Sequence, residues 1–231
     1  MISIKQVSSW DSYVFIAQCF AIFLIGAVAQ SANDAPWSKV SAEHGITVWS
    51  KDRHNAPLPE LLAKGQIKGN LFHVMAVILD NKRAPEWIPN CLESRQLKRI
   101  SSQRTLVYSV TSSPWPISDR DTVVELIRET IKPGSEYKIS MHAKPDLLPP
   151  VSGYIRIPYS ENYFFLQRID DDTTAIEYGL DVDPGGMLPD WMIRSTVQNT
   201  LIDTIKALEF QVEKTKSQYS IEISELAEEP N

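Results

Sequence analysis

Cysteine is nearly absent: the chain has two in 231 residues, Cys19 and Cys91. Cys19 falls inside an uncharged run, Tyr13 to Ala29, of the kind removed on export. Without that run Cys91 stands alone, which excludes an intramolecular disulfide even in an oxidising compartment. Cys91 also lacks an obvious base nearby in sequence, so it reads as a small packed hydrophobe and not as a nucleophile. Histidine is scarce as well. His44, His54, His73 and His142 show no metal-ligand spacing, so no metal is expected. There is no glycine-rich phosphate loop and no Gly-x-Ser-x-Gly elbow, and nothing implies a cofactor. Positive charge is not in excess: 23 Lys and Arg against 29 Asp and Glu leave a net charge of −6. The basic footprint of a nucleic-acid binder is therefore missing. Internal repeats and low-complexity tracts are missing too.

What is present begins with a targeting signal. Tyr13 to Ala29 is rich in Phe, Ile, Leu and Ala, with Lys5 ahead of it, and Ala27-Val28-Ala29 suits cleavage before Gln30. The run sits at the lower limit for spanning a bilayer. Residues 1–29 therefore read as a cleaved export signal, with an uncleaved membrane anchor as the alternative. Gln18 before Cys19 argues against a lipoprotein-type cysteine. The expected location is periplasmic or secreted if the signal is cut, and at the membrane otherwise. The rest, with 43% hydrophobic and 23% charged residues overall, suffices for one sizeable domain or two small ones.

Trp37 to Gly45 reads as a short helix stopped by glycine. Ile46–Trp49 and Glu60–Ile67 read as strands, separated by Pro57 and Pro59. Leu71–Leu79 reads as an apolar helix capped by Asn70, and Ala84–Ile88 as a further helical turn. Seven strands follow: 93–100, 104–111, 121–131, 136–143, 151–157, 163–169 and 174–182, with turns at Lys132-Pro133-Gly134 and Asp170-Asp171-Asp172. Thr174 to Val182 alternates apolar and polar residues as a strand with one buried face should.

Asp183-Pro184-Gly185-Gly186-Met187-Leu188-Pro189-Asp190-Trp191 turns that last strand into a helix. Gly185 and Gly186 accept turn dihedrals, Pro189 suits a first helical turn, and Asp190 puts a negative charge at the helix's positive end. From there Ile193, Val197, Leu201, Ile205, Leu208 and Val212 fall on one stripe at helical spacing. The residues alone allow an ordinary core behind that stripe, or a cavity. After Val212 the chain turns polar and acidic, and 213–231 reads as a flexible tail. One polar motif, Ser118-Asp119-Arg120-Asp121, opens a strand. It reads either as an exposed charged turn or as a site where Arg120 bridges carboxylates.

Gly45-Ile46-Thr47-Val48-Trp49, Leu79-Asp80 followed by Trp87-Ile88-Pro89-Asn90, Ile117 to Asp121 and Asp183 to Trp191 come in the order and spacing of START domains. These are the steroidogenic-acute-regulatory-related lipid-transfer domains, and the resemblance covers residues 37–212. It implies an α+β helix-grip fold: a curved antiparallel sheet around the long C-terminal helix, with short helices between the second and third strands. It implies binding, and transfer, of one apolar ligand in a cavity under that helix, with transient membrane contact and without cofactor or metal. Cavity candidates are then Val107, Leu126, Trp191, Ile193, Val197, Leu201 and Ile205, and Arg120, Asp121, Gly185 and Gly186 form the structural motif. Some sterol-carrying members place a carboxylate and an arginine inside the cavity; counted without gaps from Arg120, those places fall near Val107 and Leu126. The polar anchor is missing here, so an acyl, isoprenoid or other apolar ligand is expected at least as much as a sterol. The alternative is a helix-grip enzyme of the polyketide aromatase/cyclase type, which needs polar groups in the pocket. Tyr108, Arg156 and Tyr178 are the polar candidates, with Arg156 placed on the outer face or at the cavity mouth.

Overall fold

The computed structural model describes residues 35–54 and 56–228, apart from the side chains of 190–198 and 228. The expected signal or anchor at 1–29 lies outside the described residues. Among those described, no helix is long and apolar enough to cross a membrane.

The chain opens with a hairpin, not a helix. Ser38–Glu43 (β1) pairs with Ile46–Lys51 (β2), and Glu43 faces Ile46 across the turn. His44 and Gly45 have φ of 54° and 75°. Two successive left-handed residues make the tight connection that matches strand twist, so Gly45 belongs to a hairpin turn and not to a helix stop. Glu60–Lys68 (β3) follows, then Leu71–Leu79 (α1). Asn70 caps α1, its side chain accepting from the Phe72 N–H at 2.9 Å. Asn81–Glu86 forms a 3-10 turn.

Next come Cys91–Arg99 (β4), Arg104–Thr111 (β5), Arg120–Lys132 (β6) and Glu136–Ala143 (β7). The strand expected at 151–157 shrinks to Ile155–Arg156 (β8), which runs parallel to β6 at Arg120 and Asp121. Tyr159–Arg168 (β9) starts four residues earlier than the sequence suggests, because Tyr159 to Asn162 still pair with Asp183 to Leu180 of Thr173–Asp183 (β10). Asp190–Lys214 is the long helix α2, and Pro189 is its N-cap residue, one place ahead of the first turn. Among the described residues, the tail is not frayed. Ser220–Glu228 forms a third helix, α3, packed on α1.

The ten strands make one sheet in the order β1-β2-β3-β10-β9-β7-β6-β5-β4, with β8 off the path. Its ladders are antiparallel except for β8 on β6. The helices lie on one face. α2 packs on β3 and, more lightly, on β1 and β2, while α1 lies against α2. Leu201, Ile205, Leu208 and Val212 are at most 2% exposed, and complete burial of one such side chain contributes about 1.5–3 kcal/mol. Gly69 permits the close approach of α2: a Cβ there would lie 2.6 Å from Val212 Cγ1. The opposite face carries a small second cluster, Tyr108, Val110 and Val123, with Leu97 and Leu148 against it.

Candidate ligand cavity

Strand alternation divides β5 and β6 between these two faces. Val107, Ser109 and Thr111 on β5 and Val124 and Leu126 on β6 point to the helix side, where they line a cavity of about 120 Å³. Tyr108, Val110 and Val123 point the other way. The roof is Ile78 from α1, Asn81 and Ala84 from the 3-10 turn, and Trp87 and Ile88 just after it. Met141 and Phe164 close the far wall, and Cys91 and Ser94 of β4 the near one. No side chain in this lining carries a formal charge. Cys91 is half-buried, and burial pushes its thiol up, away from nucleophilic use.

A second cavity, of about 360 Å³, adjoins the first, since Asn81 and Leu126 line both. Its character differs. Asp80, Arg99, Arg128, Glu222 and Glu225 stand around it, and Tyr219 and Leu226 bring apolar surface from the α3 side. Its floor includes Gln96 and Thr105 from β4 and β5. The larger volume lies within the ~300–1,000 Å³ range of small-molecule sites and the smaller one below it.

Tyr219 holds α3 in place. Its φ is 64°, and its hydroxyl donates to Asp80 Oδ2 at 2.9 Å, under the Arg83 guanidinium. Burial, followed by the Asp80 carboxylate, pushes the Tyr219 phenol up to about 12. Arg83 grips Glu86 with two 2.8 Å bonds and also reaches Gln218. Glu86 in turn accepts from Gln211 at 3.1 Å and Lys214 at 3.4 Å. These donors, Arg83 first, hold the Glu86 carboxyl at about 2. The 3-10 turn over the cavities is thereby tied to the end of α2.

The Arg120-Asp121 motif is neither an exposed turn nor an Arg120 carboxylate bridge. Arg120 is 4% exposed, and it donates to Ser118 O at 2.6 Å, Ser113 Oγ at 3.2 Å and Gly185 O at 3.3 Å. Burial lowers its pKa, partly offset by Asp119. Asp121, behind the sheet, takes both arms of Arg156 at 2.9 and 2.8 Å, and Arg156 also donates to the carbonyls of Pro145, Leu148 and Pro149. Gly185 and Gly186 adopt φ of 67° and 68°. Through Gly185 O, Arg120 ties the strand-to-helix turn to the start of β6.

Of the sequence-derived cavity candidates, Val107 and Leu126 line the smaller cavity, and Leu126 the larger one too. Leu201 and Ile205 are buried in the main core, and neither lines either cavity among the described residues. Trp191, Ile193 and Val197 lie in the α2 backbone, but their side chains fall outside the description. Trp87, Ser94, Ser109, Thr111 and Met141 were missed. The sequence did hold a signal for two of them: Ser109 and Thr111 alternate with Val107 on one face of β5, but serine and threonine there resemble a solvent face. Tyr108, Arg156 and Tyr178 line neither cavity. Tyr178 stacks on Phe164 at 4.5 Å, and burial pushes its phenol up to about 12.

Residues 29–216 match the START domain family, which is most of the chain. The chain belongs to that family. It is 27% identical over 187 residues to an uncharacterised protein of Pseudomonas aeruginosa, covering 81% of this chain and 92% of that one. A crystal structure of a STAR-related lipid transfer protein fragment from Xanthomonas axonopodis is 30% identical, with a TM-score of 0.70 over 77% of this chain and 98% of that one. Human STARD10 shares the fold at 19% identity, with a TM-score of 0.71 over 82% of this chain and 78% of that one. The Zhui aromatase/cyclase of a Streptomyces species shares it more distantly, at 10% identity and a TM-score of 0.50, over 70% of this chain and 97% of that one. The START match stops at Lys216, so α3 lies beyond it. The fold is the helix-grip arrangement, with the sheet around α2 and the cavities displaced toward β4, β5 and β6.

Proposed function

We propose that this START domain binds one apolar ligand in the paired cavities between α1 and the β4–β6 end of the sheet, and carries it between membranes. The observation that supports it is the smaller cavity, enclosed by apolar and neutral side chains and adjoining a larger one with a charged rim. A charge-free interior favours apolar surface, roughly 25 cal/mol per Å² removed from water. The charged rim suits an end of the ligand that stays near solvent.

The non-enzymatic reading is supported by where the ionisable groups are. Ring-closing chemistry needs an acid or base within hydrogen-bond reach of the substrate. Tyr108 and Arg156 serve the rear of the sheet, Tyr178 is stacked against Phe164, and burial pushes the Cys91 thiol up. The carboxylates of Asp80, Glu222 and Glu225 stand around the larger cavity, not the smaller one. We also propose export, with cleavage before Gln30 and work at a membrane surface; intact mass of protein from its native host should begin near Gln30, whereas retained residues 1–29 point to an anchor.

The test of ligand binding is lipid extraction and native mass spectrometry of the purified protein, before and after incubation with vesicles of total lipid from the host. The expected result is one apolar molecule bound per chain. Protein that carries none and takes none up from vesicles overturns the reading.

A further inference from the structure

Within the smaller cavity, the hydroxyl groups are gathered on one strip of wall. The ladder places Ser94 opposite Ser109, and Ser109 opposite Thr122, so three hydroxyl side chains form a row across β4, β5 and β6. Ser94 and Ser109 line the cavity, with Thr111 beside them. Trp87 faces this wall from the roof and is 6% exposed. Its indole Nε1–H is buried with no hydrogen-bond partner, and so is Thr122 Oγ1. A buried donor without a partner costs about 1–3 kcal/mol. Thr122 lies off the cavity lining, but Trp87 borders it, and its unpartnered donor is explained if a ligand completes it.

The chemistry of the strip defines what it takes. Indole N–H only donates, while a hydroxyl both donates and accepts. A ligand oxygen that accepts from Trp87 and exchanges bonds with Ser94 and Ser109 satisfies the indole donor. The oxygen must be neutral, because no lining side chain offers a counter-charge and burying an unpaired carboxylate or phosphate is prohibitive. Resting on the ligand-binding reading above, we propose that Trp87, Ser94 and Ser109 form a recognition site for a single neutral oxygen, that of an alcohol, ketone or ester, on an otherwise apolar ligand. Ionised headgroups are left to the charged rim near Arg99 and Glu222 or are not accepted.

The probes are decane, 1-decanol, 2-decanone and decanoate, with affinities for full-length protein measured by competition against a bound neutral fluorescent dye. The alcohol and ketone should bind roughly tenfold more tightly than decane, the scale of one or two buried hydrogen bonds. Decanoate should bind no better than decane at pH 7.5. Trp87→Phe keeps a ring of similar shape and should remove most of the preference for alcohol and ketone, leaving decane unchanged. Ser109→Ala supplies a second, conservative variant with the same expected direction. Equal affinity for decane and decanol, or a preference that survives both substitutions, overturns the recognition site while the cavity reading stands. Failure of all four probes to bind overturns both.

Discussion

The two ends of the sheet treat their helices differently. At the β1–β3 end, α2 lies directly on the strands, and Leu201, Ile205, Leu208 and Val212 are sealed among Ile46, Val48, Leu61 and Ile67. At the β4–β6 end, the roof is made by α1, the 3-10 turn and Trp87, and it stands off the strands over the cavities. Gly69 allows contact at the first end; the Arg83–Glu86 and Tyr219–Asp80 bonds hold the roof at the second. A long helix packed tightly along part of its length fixes the sheet, and the space left beyond its reach becomes available to a ligand. Dense packing and empty volume thus coexist within one fold because different elements cover different strands.

This contrast can be broken or sharpened by substitution. The largest effect is expected behind the cavity end, at Asp121. Its pair with Arg156 is 1% and 11% exposed on the two side chains, and removing one partner of a buried pair costs about 3–5 kcal/mol. Asp121→Ala should lower denaturant stability by that amount and show that the ligand end is backed by a rigid wall. A loss under 1 kcal/mol would mean that wall is soft.

A smaller difference should separate Leu201→Ala from Val107→Ala. Leu201 sits in the sealed end, where such truncations cost roughly 2–5 kcal/mol. Val107 already borders a cavity, so its truncation enlarges existing space and should cost about 1 kcal/mol or less beyond its lost transfer energy. Equal losses in chemical denaturation would erase the distinction between the ends.

The smallest effect is in pH. Buried His73 lies between α1 and the end of α2, with Nε2 3.0 Å from Thr215 Oγ1, whose proton goes to Gln211 O at 2.7 Å. Its ring therefore donates to Thr215. Burial, and then Lys216, pull its pKa below the ordinary 6.5. As pH falls through 6.5, the unfolded chain takes up the proton first, so stability is lost from there down to the folded value and is fully present above. The melting temperature should drop modestly between pH 7.5 and 5, and His73→Gln should flatten that part of the slope. An unchanged slope in the variant would place the titration elsewhere.

Much of the fold was legible because local rules and tertiary packing agreed. Asn70 caps α1 as its sequence indicates, and β5, β7 and the body of α2 follow their periodicities. Val107 and Leu126 face the same cavity because β5 and β6 pair without a bulge, so alternation carries along both strands. β4 resisted: its register shifts at Cys91/Glu93 and Gln96/Lys98 break the alternation that would have shown which side chains face in. α3 was hidden by acidic composition, although Ile223 and Leu226 fall at helical spacing and are its partly buried positions, with Tyr219 just ahead of it. The cavity's position was not legible from α2. A stripe such as Leu201 to Val212 looks the same whether it meets strands or a ligand, and only the path of the sheet decides between them.

The most direct test sets Leu126→Trp beside Leu201→Trp, measuring thermal stability and bound lipid together. Leu126 borders both cavities, so the larger ring should fill ligand space, leaving a folded protein of near-normal stability with little or no lipid. Leu201 is in the sealed end, so its variant should be destabilised by overpacking, about 1–3 kcal/mol or more, while the fraction that folds still holds lipid. The reverse pattern, with lipid lost from a stable Leu201→Trp and retained by Leu126→Trp, would place the ligand under α2 and contradict the account.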